Sequence, residues 1–290
     1  MSDQPQEPHF FDAAIALSPQ PDGSLAGATH PAWNNMVGPF GGITAATALN
    51  AVLRHPALLG EPVALTVNYA GPLNGPFTAV ARPVRTNRST QHWTVELRQS
   101  AKPDTAEGTD GADEVALTAT VLTAVRRETW GSNDLPMPSL PAPSQVHRTP
   151  PRNTVEWLRR YDLRMVTGTI PSRWEGQAAT DDPATSSLTQ VWMRDDPPRP
   201  LDFCALTALA DVFFPRIWLR RATFVPVGTV SMTVYFHVGA QALADTGTGY
   251  VLGQARGQGF AAGFFDQAAQ LWNEAGTLLA TTHQVVYYKH

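Results

Sequence analysis

Residues 203–215 read FCALTALADVFFP, an apolar stretch with one charge, Asp211, and a proline that closes it. Asp202 stands just before it, where a helix takes its N-cap. On helical spacing Phe203, Leu206, Ala210, Phe213 and Phe214 occupy much of the circumference, so a largely buried helix is predicted from Phe203 to Phe214. Strand-like runs follow it: Thr229–Val238, Tyr250–Arg256, Ala262–Trp272 and Leu278–Tyr288. Two further strand candidates, Leu163–Thr169 and Leu188–Arg194, precede it.

The same order occurs earlier in the chain. Gly41-Gly42 opens an alanine-rich helical stretch, Ile43–Leu53, with no internal proline. Val63–Tyr69, Phe77–Arg85, Gln91–Gln99 and Val115–Arg126 then read as strands. Thr66-Val-Asn-Tyr and Thr233-Val-Tyr-Phe lie about 167 residues apart at matching points of the two series. A helix followed by an antiparallel meander, twice over, is an α+β pattern. One helix wrapped by a curved antiparallel sheet is the hotdog arrangement, and two copies predict a tandem, or double, hotdog.

Three stretches read as loop or linker. Ser18–Pro31 is rich in Gly, Pro and Ser, and Ala101–Glu114 looks like an acidic hairpin insertion. Thr129–Pro151 holds Pro136, Pro138, Pro141, Pro143, Pro150 and Pro151, which favours extended backbone with few cooperative contacts. The expected division is therefore residues 1–128, a linker over 129–151, and residues 152–290.

Bulk properties narrow the function classes. The chain has 290 residues, 43% of them hydrophobic, which suffices for a real core. A formal charge of −4 argues against a dedicated nucleic-acid binder. Cys204 is the single cysteine, so neither an intrachain disulfide nor a Cys-based metal site is available. The N-terminus lacks the pattern of a signal peptide, and no apolar run approaches the roughly 20 residues of a membrane span. A cytoplasmic protein without membrane insertion is expected. There is no G-x-S-x-G, H-E-x-x-H, paired C-x-x-C or Walker A loop, which removes the common chemistries built on those motifs.

Asp211 is then the strongest single candidate. A carboxylate in an apolar helix is costly unless it is paired or hydrogen-bonded. It is either satisfied by a structural partner or poised as a general base. Thr229 and Gln284 are polar residues within strand-like runs of the same half, and each alone is ordinary strand decoration. Gly41-Gly42 either permits close packing or offers helix N-terminal N–H groups to an anion. Arg82, Arg85 and Arg88 form one basic cluster and Arg220-Arg221 another. Surface arginines of this kind are common.

Phe40-Gly-Gly, Ala210-Asp-Val-Phe-Phe-Pro, Gly228-Thr-Val-Ser-Met-Thr-Val-Tyr-Phe-His and Leu278-Leu-Ala-Thr-Thr-His-Gln together resemble the bacterial acyl-CoA thioesterase II family. Arg88-Ser89 matches a turn of its first half. The resemblance spans roughly residues 30–126 and 155–290. It implies an acyl-CoA substrate and a water activated jointly by Asp211, Thr229 and Gln284. No cofactor, metal or covalent intermediate is implied. Gly41 and Gly42 are the matching substrate-binding positions. Where the family often has Gln after the glycine pair, this chain has Ile43.

Two other functions are weighed. A hotdog enoyl-CoA hydratase would need a D-x-x-x-x-H pair, which the sequence does not contain. A non-catalytic acyl-CoA or acyl-chain binder would share the fold, but it gains little from a carboxylate in an apolar cleft. Open edges of a curved sheet invite pairing, so a homodimer or higher homo-oligomer is expected.

Overall fold

A computed structural model of the protein describes residues 7–100, 113–151, 155–176 and 187–289. Most of the 101–114 insertion therefore lies outside the described residues. In chain order the first half contains α1 (Phe10–Ala14), β1 (Ser18–Pro19), β2 (Leu25–Ala28), α2 (Gly41–Leu53), β3 (Glu61–Tyr69), β4 (Pro76–Thr86), β5 (Thr90–Gln99) and β6 (Glu114–Ala124). The second half contains β7 (Tyr161–Thr167), β8 (Thr189–Asp195), α3 (Phe203–Leu209), α4 (Arg216–Arg221), β9 (Val227–Phe236) and α5 (Ala240–Thr246). It continues with β10 (Val251–Arg256), β11 (Phe260–Ala261), β12 (Phe264–Asn273) and β13 (Leu278–Tyr288). The expected strands are all present. Ser18–Pro31, read as loop, in fact contributes the short β1–β2 ribbon, which pairs through β2 with β4.

All strands join one antiparallel sheet in the order β1-β2-β4-β5-β6-β3-β9-β13-β12-β10-β8-β7, with β11 beside β12. The two halves repeat one topology. In each, strands precede a helix, and the strand after the helix pairs with the last strand of the half rather than with the next in sequence. Neither half is thus the simple meander that its strand spacing suggests.

The halves meet along β3 and β9, where Thr66 lies opposite Thr233. Their hydroxyls are 3.0 Å apart. The residues that mark the sequence repeat are therefore the point about which the two halves turn onto each other. One hydrophobic core runs through both halves. α2 and α3 pack together inside it, with Gly42 close against Ala208 O, and Ala45, Ala48, Ala205 and Ala208 are buried.

α3 is shorter than its apolar pattern suggests. It ends at Leu209, and the next amides fold back one residue early, Asp211 N–H to Ala208 O and Val212 N–H to Leu209 O. Pro215 excludes the helical region for Phe214 and caps the separate α4. Apolar periodicity continues through this turn because its side chains are buried too, so pattern alone runs the helix on.

The proline-rich stretch is extended but far from bare. Met137, Leu140 and Val146 pack on Trp192, Tyr250, Leu252 and Trp272, on the sheet face away from the helices. The indole N–H of Trp192 donates to Pro141 O and that of Trp272 to Leu135 O. Thr149 bonds the edge strand β7 through Leu163 O and Met165 N–H. Among the described residues no helix is long and apolar enough to cross a membrane.

Candidate active site

Asp211 sits just beyond the C-cap of α3, where α3 ends against the N-terminus of α2. Its carboxylate accepts the Gln284 side-chain amide at 2.8 Å and the backbone N–H of Gly42. Burial pushes its pKa up to about 7, and those two donors hold it from rising further. This residue is therefore neither a solvated surface charge nor a member of an ion pair. It is a carboxyl group poised near neutrality by burial and two neutral donors.

Gln284 is buried on β13, its face set by strand alternation with Thr282 and Val286. Besides Asp211, its amide contacts Met232 Sδ at 3.3 Å and Ala210 O at 3.5 Å. Thr229 reaches the same face by a different route. Gln284 lies opposite Met232 and Val285 opposite Ser231, but Val286 lies opposite Thr229. Val230 is thus an extra residue in β9, a β-bulge. Regular alternation from Met232 would turn residue 230 inward and Thr229 outward; the bulge puts Thr229 opposite the buried Val286. No direct hydrogen bond joins Thr229 to Asp211 or Gln284 among the described contacts.

The glycine pair answers to close packing. A Cβ on Gly41 would lie 2.8 Å from Asp211 Oδ2, and one on Gly42 would lie 2.7 Å from Ala208 O. The Gly42 N–H stabilises the Asp211 charge, while the Ile43 and Thr44 amides bond Phe40 O. The Gly41 carbonyl accepts from the Tyr69 hydroxyl at 3.0 Å and the Thr44 hydroxyl at 2.8 Å, which fixes the turn. Ile43 is buried in the core and takes no place at the carboxylate.

Tyr69 gave no signal in the sequence, because a tyrosine ending a strand is common. Its phenol is held well above the usual range, first by burial and then by the Asp211 charge. Arg216 was equally inconspicuous. It is fully buried, and its guanidinium binds Phe214 O, Ser187 O and Thr189 Oγ1, clamping the turn after Asp211 to β8. Burial lowers its pKa to about 9. His237 and His283 lie away from the site, bonded to Thr281 and Asp266. Burial pushes the Cys204 thiol well up. Among the described residues no group of three or more His, Cys, Asp or Glu is placed to hold a metal ion.

The first half of the chain, residues 29–124, matches the model of the acyl-CoA thioesterase N-terminal domain, and residues 132–288 match that of the C-terminal domain. No curated protein matches the chain. Among solved structures, a hot dog fold protein of unknown function from Alicyclobacillus acidocaldarius is 43% identical, with 98% of this chain and 99% of that chain covered and a TM-score of 0.86. The acyl-CoA thioesterase II TesB2 of Mycobacterium marinum is 17% identical over 97% of this chain and 98% of that one, at a TM-score of 0.70. The tesB protein of Mycobacterium avium subspecies paratuberculosis is 17% identical over the same shares, at 0.73. Two domain matches in the expected order, on a double-hotdog fold, place this chain in the acyl-CoA thioesterase family.

Proposed function

We propose that the protein hydrolyses a fatty acyl-CoA to the free acid and CoA, with Asp211 as general base. The observation that carries this is a half-buried carboxyl group with its pKa near 7, held at the junction of the two halves by Gln284 and by the start of α2. Asp211 takes a proton from water as the water oxygen bonds to the thioester carbonyl carbon. Gln284 and Thr229 orient that water from the sheet. The Gly41 amide at the α2 N-terminus faces the developing oxyanion. Collapse of the intermediate breaks the C–S bond and releases a thiolate, which needs little protonation because thiols ionise near pKa 8.5. No covalent enzyme intermediate is required, consistent with a Cys204 whose thiol is held protonated.

Thiol release from acyl-CoAs of graded chain length, with wild type and Asp211→Asn in parallel, tests the reading. Wild type turns over, and the variant falls by about 100-fold or more, the share of a positioned base. Equal rates remove Asp211 from the mechanism, and silence across all chain lengths favours a non-catalytic acyl-CoA binder.

The reading keeps a homo-oligomer, most simply a dimer. The chain blunts its own sheet edges, β7 with Thr149 and the other side with the two-residue β1. The exposed Tyr235, Val285 and Tyr287 on the outer sheet face remain to form the contact. A monomer mass by light scattering at micromolar concentration removes it.

A further inference from the structure

Three aromatic rings gather beyond α4, outside the catalytic cluster. Trp174 and Phe224 are 38% and 53% exposed, with centroids 5.5 Å apart and planes at 69°. The buried Trp218 lies behind both, at 5.8 Å from Trp174 and 5.1 Å from Phe224. An open corner of two aromatic faces suits one flat heteroaromatic ring, stacked on one face and edged against the other.

The corner is built rather than accidental. Trp218 Nε1 donates to Val225 O, Thr223 Oγ1 to Arg221 O and Gly176 N–H to Ala222 O. The last two bonds cover carbonyls at the C-terminal end of α4, which would otherwise repel an anion. Its rim is basic: Arg220 and Arg221 form the last turn of α4, and the exposed Arg173 precedes Trp174. Glu175 lies 3.9 Å from Arg173, with both side chains open to solvent.

The corner also stands beside the reacting centre. Trp218 and Val225 share a small apolar cluster with Phe265 and Val286, and Val286 is the residue opposite Thr229. From Val225 to Thr229 the chain extends at most about 14 Å, within reach of an extended pantetheine arm.

We propose that this corner binds the nucleotide end of CoA, with the adenine on Trp174 and Phe224 and the phosphates on Arg173, Arg220 and Arg221. The proposal rests on the thioesterase reading of the Asp211 site and adds to it a recognition element for the leaving group.

The test compares one acyl group carried on CoA and on N-acetylcysteamine, which keeps the thioester and lacks the nucleotide. Trp174→Ala and Arg220→Gln/Arg221→Gln raise KM for the CoA ester about tenfold, leave kcat unchanged, and leave the cysteamine ester untouched. Phe224→Ala serves as an independent aromatic variant. Wild-type KM for the CoA ester in all three variants overturns the proposal. If wild type cleaves neither ester, the thioesterase reading fails. The subsite is then decided by tryptophan fluorescence with 3′,5′-ADP, where a saturable change lost in Trp174→Ala upholds it. A response to anionic phosphatidylglycerol vesicles but not to 3′,5′-ADP makes the corner a membrane contact and overturns the nucleotide assignment.

Discussion

Asp211 sets the pH behaviour of the protein in two opposite senses. A base works only when ionised, so with Asp211 as the proposed base kcat/KM is expected to fall about tenfold per pH unit below pH 7 and to level off above it. Stability runs the other way. The folded pKa of about 7 lies above the ordinary 3.8, so between these values the native state binds more protons than the unfolded chain. The cost of burying the ionised carboxylate therefore builds as pH rises from about 4 to 7 and is complete above 7. Asp211→Asn keeps an acceptor oxygen for Gln284 and removes that cost. Urea unfolding is expected to show the variant gaining stability relative to wild type as pH rises from about 4 to 7, with the gap closing toward pH 4. Asp195 is also pushed up to about 7 by burial and contributes in the same direction. The difference between wild type and variant isolates Asp211. That a lone charge in FCALTALADVFFP needs an explanation is legible in the sequence; that its partners are an amide of β13 and the backbone of α2 is not, since 73 residues separate Asp211 from Gln284.

Two of the departures from the sequence reading, at α3 and β9, bear on the proposed site. Had α3 run on to Phe214, Asp211 would lie inside a helix with its own backbone N–H committed to a full helical turn. Its early end turns the residue toward the N-terminus of α2, where Gly42 meets it. The bulge at Val230 does the corresponding work for Thr229. A threonine in a regular β9 would face outward, and only the extra residue brings it to the face of Gln284. Thr229→Val keeps a β-branched shape that suits the strand, so it is expected to fold normally while lowering kcat by about tenfold or more. Thr229→Ser, which keeps the hydroxyl, retains most of the activity. Steady-state kinetics with circular dichroism as the fold control separates the two. Equal activity in wild type and Thr229→Val would leave the threonine to the strand alone. Bulges are settled by pairing registers, which involve both strands, so β9 by itself carries no sign of one.

At the scale of the molecule the two halves are not independent. β3 and β9 are hydrogen-bonded neighbours, α2 and α3 share one core, and Arg126 of the first half donates to both Pro62 O and Phe236 O across the junction. Separation would expose the central strands and both alanine-rich helices together. A single unfolding transition is expected by calorimetry, with calorimetric and van't Hoff enthalpies in agreement. Two resolved transitions would show that each half carries its own stability. The same union places the proposed site, which would take Asp211, Thr229 and Gln284 from the second half and Gly41, Gly42 and Tyr69 from the first. Neither half holds the whole arrangement.

The amino-acid sequence determined the elements and their repetition. Alternation in the strands, alanine-rich helices without proline and the recurrence near Thr66 and Thr233 are local or periodic properties, and local physics writes them into consecutive residues. Tertiary structure alone decided which strands are neighbours, where α3 stops, which way Thr229 faces and what covers the outer sheet. It also set the acidity of Asp211, because a pKa depends on how much water surrounds a group and which donors reach it. Those donors and that exclusion of water come from segments far apart in the chain, brought together only when the two halves close on each other.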